Sequence, residues 1–189
     1  MAEQPPLPES VTPAQFFEEL LPMGFAAQAQ SGEAAPQDFR LQFHVTGDGG
    51  GDWSLHISEG KMTASKGSGE AHLTVTLSCE DWRDAVLGRN GAALSLIIPQ
   101  GRQGRPDNSA RARALKGTMA LELAREGSPF QVEMCFNNST APRTKLRMTL
   151  SDYLDMQAGK LNGQQAFMAG KIKVEGDMGF LMQIASLNM

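Results

Sequence analysis

Cysteine is nearly absent from this chain: Cys79 and Cys135 are the two in 189 residues. That excludes a disulfide scaffold and leads us to expect free thiols in a reducing, cytosolic setting. No apolar run approaches the roughly 18–20 residues that a membrane-spanning helix needs. The first residues are acidic and proline-rich, without the basic and apolar regions of a secretory signal peptide. The sequon at Asn137-Asn138-Ser139 accordingly carries little weight. An excess of positive charge is missing too. Seventeen Lys and Arg stand against 21 Asp and Glu, a formal charge of −4, which argues against nucleic acid or a strongly anionic membrane as the main partner. Aromatic residues are few, at 6 %.

What is present is a 41 % hydrophobic fraction and 11 Met. The first suffices for one substantial core or two small fused ones. Methionine is flexible and polarizable; it serves as ordinary core filler and also lines adaptable binding surfaces. Charge is unevenly spread. Residues 1–36 carry Glu3, Glu9, Glu18, Glu19 and Glu33 and no Lys or Arg. Residues 101–116 carry Arg102, Arg105, Arg111, Arg113 and Lys116 against Asp107. That stretch reads as a solvated loop, with a lipid headgroup or phosphate as the alternative partner.

Four regions follow. Residues 1–37 hold a Pro- and Glu-rich lead, an amphipathic helix over 12–23 and a linker. Thr12 is its cap, Pro13 takes the first turn, and Phe16, Phe17, Leu20 and Leu21 form one stripe. In 38–98 the period becomes two: Phe39-Leu41-Phe43-Val45, a Gly47–Gly51 turn, Trp53-Leu55-Ile57, Met62-Ala64 and Leu73-Val75-Leu77 predict an antiparallel meander with one wet face. Ser78 and Asp81 then start a helix reaching about Leu87. Residues 99–114 show no periodicity and read as a loop. In 115–189 the spacing predicts a second hairpin, a strand at Leu146–Leu150, a helix capped by Ser151, a short helix over 163–168, a strand over 170–175 and a final helix over 178–186 capped by Asp177. Leu73–Ser78 resembles Leu146–Ser151, and Asp81-Trp82 resembles Asp152-Tyr153, so the two halves form a partial internal repeat.

No catalytic or metal motif emerges. His44, His56 and His72 are isolated on predicted strands, and Gly47–Gly51 joins two strands and lacks the Lys-Ser/Thr of a phosphate loop. No serine sits in a Gly-x-Ser-x-Gly turn. The chain is expected to be a non-enzyme that needs no cofactor.

The final helix carries Met178, Phe180, Leu181, Met182, Ile184, Ala185 and Leu187 around most of its circumference, which predicts burial on more than one side. It is either sandwiched or walls a cavity, with Met156, Phe167 and Met168 on the helices before it. The stretch Tyr153–Gly179, with Gly159-Lys160-Leu161-Asn162, Gln165-Ala166-Phe167, Gly170-Lys171-Ile172-Lys173-Val174 and Gly176-Asp177-Met178, resembles the C-terminal signature of sterol carrier protein type-2 domains. Thr12–Phe17 and the hairpin Gly49–Lys61 are similar to that family's first half.

The resemblance implies an α+β fold, a mixed and mostly antiparallel sheet covered by helices around a hydrophobic tunnel, here with an extra hairpin in 99–145. It implies a sterol, fatty acid, fatty acyl-CoA or phospholipid as ligand, with transient membrane contact. Its ligand-binding residues here would be Gln164, Phe167, Met168, Met178, Phe180, Leu181, Met182 and Ile184, beside the Met156 already noted. The alternative is a structural or regulatory module, its cavity filled, that serves dimerisation or docking. The ending Leu187-Asn188-Met189 departs from a peroxisomal Ser-Lys-Leu tripeptide.

Overall fold

The computed structural model describes residues 7–29, 38–97 and 109–187. The first part of the predicted lead (1–6), the linker core over 30–37, and residues 98–108, which include the first part of the basic stretch 101–116, lie outside the described residues. The fold is α+β. Eight strands form one open sheet: β1 (Phe39–Thr46), β2 (Gly51–Ser58), β3 (Lys61–Lys66), β4 (Leu73–Ser78), β5 (Gly117–Ala124), β6 (Phe130–Phe136), β7 (Arg143–Thr149) and β8 (Lys173–Gly176), in the order β3-β2-β1-β4-β6-β5-β7-β8. The pairs β1/β4 and β5/β7 are parallel and the others antiparallel.

Two copies of one unit make this sheet. Each is a hairpin with a parallel third strand leading into a capped helix: β1-β2-β4 into α3 (Cys79–Leu87), and β5-β6-β7 into α5 (Leu150–Gln157). β4 and β6 join them. The register corrects the expected alignment by two residues. Thr46 pairs with Ser78 and Ala124 with Thr149, so Ser78 corresponds to Thr149 and Leu73 to Thr144. The cap decides this. Ser78 Oγ accepts the Asp81 N–H at 3.0 Å and Thr149 Oγ1 accepts the Asp152 N–H at 3.1 Å, so Thr149 rather than Ser151 starts α5. The outer strands differ: β3 flanks β2 in the first unit, whereas β8 flanks β7 in the second.

Alternation places the apolar side chains on one face across all eight strands, because paired residues share a face. From Ile57 through Phe39 and Leu41-Leu73, and on through Leu77-Val132-Leu121-Leu146, this face is buried. Helices lie on it. α1 (Pro13–Gln15) runs through a π-helical stretch (Phe16–Leu20) into α2 (Leu21–Ala29), past the end expected at 23, and packs on β3. α3 packs on β1 and β4, α5 on β5 and β7, and the final helix α7 (Met178–Leu187) on β7. The loop expected over 99–114 contains a helix, α4 (Ser109–Ala114). Alternating Ala and Arg are strong helix formers, and intrinsic propensity outweighs the missing periodicity.

The other face is polar and open. Glu122 takes Lys145 at 2.6 Å and Arg147 at 3.4 Å, and Arg147 reaches Glu175 at 2.5 Å. His44 meets Asp52, and His56 meets Asp38 at 2.9 Å. Among the described residues no group of three His, Cys, Asp or Glu gathers around a point that a metal ion fills. His72 is different: its Nδ1 accepts the Arg40 N–H at 3.1 Å, so it must stay neutral there. Burial, then the nearby Arg113, lowers its pKa below 6.5, with Arg40 and His56 adding to the lowering and Asp38 opposing it. The unfolded chain therefore binds the proton more readily. Stability is fully present above about pH 6.5 and falls as the pH drops through the lower folded value. Melting curves from about pH 7 to about pH 5 are expected to show this loss, and His72→Asn, which keeps an acceptor, to flatten it.

Candidate functional site

The site is built on the last four elements. α5 ends at Gln157, and the chain turns through Gly159, whose φ of +73° is left-handed. Asn162 then starts α6 (Gly163–Met168), its side-chain oxygen accepting the N–H groups of Gln164 and Gln165 at 2.8 and 3.4 Å. Ala166 anchors α6 in the core, and Ile172 does the same just before β8. Gly176, at φ +98°, swings the chain from β8 into α7. Asp177 Oδ1 accepts the Phe180 N–H at 2.6 Å, which is the expected cap.

The expected ligand-binding residues fall into three sets. Phe180 and Ile184 are 1 % and 6 % exposed and belong to the core. Met156 and Leu181 are half-buried against it. Met168, Met182, Phe167 and Met178 are 79 %, 61 %, 49 % and 45 % exposed, and Gln164 faces water with them. The final helix therefore buries one face rather than several: Phe180 and Ile184 are enclosed, whereas Met178 and Met182 on its other side are exposed. Phe180 and Ile184 fill the buried side of this helix.

Two clefts lie elsewhere, and none of the expected residues lines either. One, of about 180 Å³, sits on the polar face between Arg40, Ser54, His56, Thr63, Ser65 and Glu70. The other, of about 350 Å³, lies at the seam of the two units, lined by Asn90, Gly91, Ala124, Arg125, Leu150 and Leu154. Beside it is a buried ionic cluster that sequence reasoning missed. The Arg125 side chain is 5 % exposed, with Nη2 at 2.9 Å from Asp81 Oδ1 and Nη1 at 2.8 Å from Asp84 Oδ2. The signal was the three-residue spacing of Asp81 and Asp84, which sets both on the same side of α3 as Trp82 and Ala85, all four buried.

Residues 100–188 match the model of the SCP-2 sterol transfer family. The chain carries an SCP-2-type domain. Human sterol carrier protein 2 is 41 % identical over 44 residues, which is 23 % of this chain and 8 % of that protein. The peroxisomal multifunctional enzyme A of Dictyostelium discoideum is 39 % identical over 49 residues, 26 % of this chain and 11 % of that enzyme. The chain thus spans about a tenth of the length of these relatives. The solution structure of the sterol carrier protein domain 2 of Helicoverpa armigera aligns over 95 % of this chain and 91 % of that one, at 17 % identity and a TM-score of 0.22. Among the described residues no helix is long and apolar enough to cross a membrane.

Proposed function

We propose that the chain is a non-catalytic lipid carrier, working in the cytosol, that holds a sterol, fatty acid or fatty acyl-CoA between its closing helices and the second half of the sheet. The observation that carries this reading is the uncovered apolar surface of α6 and α7, Phe167, Met168, Met178 and Met182, inside the stretch that matches a sterol transfer family. Exposed apolar patches on soluble proteins mark ligand, partner or membrane sites. The ligand draws on these residues and on Leu181, with Met156 and Gln164 at the edge. Transient contact with a bilayer loads and unloads it.

The energetics suit a carrier. Each buried methylene contributes roughly 0.8 kcal/mol, so a sixteen-carbon chain gains on the order of 12 kcal/mol before the costs of binding. A bilayer offers a comparable gain per methylene, and exchange needs only a near match.

Titration with the fluorescent fatty acid cis-parinaric acid tests the reading. Phe167→Asp combined with Met168→Asp changes two exposed positions, so the fold should persist while affinity falls by about tenfold or more, the loss expected from removing one or two apolar contacts. Unchanged affinity in the folded double variant counts against this site. Native mass spectrometry that finds no lipid, but a dimer abolished by the same pair, supports the docking module instead.

A further inference from the structure

We infer that Phe180 is a built-in plug standing where the ligand's hydrocarbon goes, so that a fatty acyl chain binds in the second unit by displacing this ring. This rests on the lipid-binding reading above and says where, and in which copy, the guest sits.

The two units make the comparison possible, since their registers assign each residue a counterpart. Phe39 corresponds to Gly117, Leu41 to Met119, Leu73 to Thr144 and Leu55 to Met134. At one end of the apolar face, the second copy has therefore exchanged a phenyl ring for a hydrogen atom and three branched leucines for threonine and flexible methionines. A bare sheet with those residues has a notch over Gly117. In this state the notch is occupied by the Phe180 ring. A Cβ at Gly117 would lie 2.7 Å from Phe180 Cζ and 2.8 Å from Cε2, closer than real side-chain contacts come. Phe136 meets the same ring edge-on at 6.2 Å. Gly117 at φ +135° and the Pro142 carbonyl, 2.6 Å from the same hypothetical Cβ, keep position 117 bare, so the space belongs to whatever arrives from above.

The ring sits on a helix placed to release it. α7 has solvent on its back, where Met178 and Met182 are exposed, and it follows the left-handed Gly176 at the edge strand β8. A ring leaving the notch gives up its contacts with Gly117 and Phe136. A hydrocarbon chain entering it replaces one set of dispersion contacts by another, with methionines adapting to the difference in shape.

The first unit offers no such exchange. Its apolar face is filled by Phe17, fully buried and ringed by Phe16, Phe43, Trp53 and Trp82. Phe17 lies inside a helix continuous with a capping box at Thr12 and tied to β2 by the Trp53 Nε1–H donating to Glu18 at 2.9 Å. The first copy is a filled copy and the second is the receptive one.

Titration of the full chain and of Phe180→Ala with cis-parinaric acid separates plug from wall. With the competing ring gone, Phe180→Ala is expected to bind about threefold to tenfold tighter, because no fraction of the protein is held in the self-occupied state. Its ligand-free melting temperature should drop, and ligand should raise it by more than in the unaltered chain. Equal or weaker binding by folded Phe180→Ala overturns the plug. Incorporated 4-fluorophenylalanine provides a readout that does not need this variant to fold: the Phe180 fluorine signal, assigned through Phe180→Leu, should move toward its solvent-exposed position at saturation. A signal that stays put in the ligand-saturated chain overturns the plug while leaving lipid binding intact. Failure of the unaltered chain to bind at all overturns the lipid-binding reading and the plug with it.

Discussion

Arg125→Leu is expected to cost about 3–5 kcal/mol of folding stability, measured by urea denaturation, because it strands two carboxylates in the interior. In the native chain the guanidinium spans the two units. It leaves the β5–β6 turn of the second, where its Nε–H donates to the Ser128 carbonyl at 3.0 Å, and reaches Asp81 and Asp84 on α3 of the first. It also lies 5.5 Å over the Phe130 ring. The Asp81 carboxyl is pushed above its usual range by burial, although the Gln131 N–H, the Ser78 hydroxyl and Arg125 each pull it down. A group with a raised folded pKa adds stability below its unfolded value and loses it as pH rises through the folded one. The Arg125→Leu chain is accordingly expected to recover stability on acidification. It should recover at neutral pH when Asp81→Asn and Asp84→Asn are added. A loss under about 1 kcal/mol would mean that the cluster is solvated and does not join the units.

The second large effect is at Phe17. Phe17→Ala is expected to lose about 3–5 kcal/mol, the cost of deleting a fully enclosed ring whose neighbours collapse only in part. Its ring is 4.7 Å from Phe43 and 5.1 Å from both Trp53 and Phe16, so the void would lie at the centre of an aromatic cluster. Phe17→Leu should recover part of the loss. Chemical denaturation checks both, and near-ultraviolet dichroism should show the Trp53 environment relaxing. A loss as small as at an exposed site would place α1–α2 off the sheet.

Much of this architecture was legible because the chain's periodicities are clean. Phe39 to Val45 and Leu73 to Leu77 alternate strictly, since the sheet has one buried and one wet face. Asp177 and the Ser78–Asp81 pair announce helix starts that the hydrogen bonds contain. The repeat was visible, but its strand register was not. The shared letters of Leu73–Ser78 and Leu146–Ser151 suggested one alignment, whereas the parallel pairing and the cap at Thr149 impose another. The short helix Ser109–Ala114 escaped because it lacks an apolar stripe. At the site, sequence identifies which side chains of α7 are apolar but not which of them face the sheet. Met182 and Ile184, two residues apart, come out on opposite sides, exposed and buried. Gly117 gave no sign of its part, because a glycine's importance lies in what rests against it.

The account's central claim is that one apolar guest sits in the second unit, and the methionines report on it directly. The eleven Met methyl groups are separate probes in a ¹³C-methyl spectrum of the full chain titrated with palmitate. Met119, Met134, Met178 and Met182 are expected to shift together and saturate at one ligand per chain, while Met23 and Met62 in the first unit stay where they are. A spectrum unchanged by palmitate, or one in which Met23 and Met62 move and the second-unit methyls do not, would contradict it.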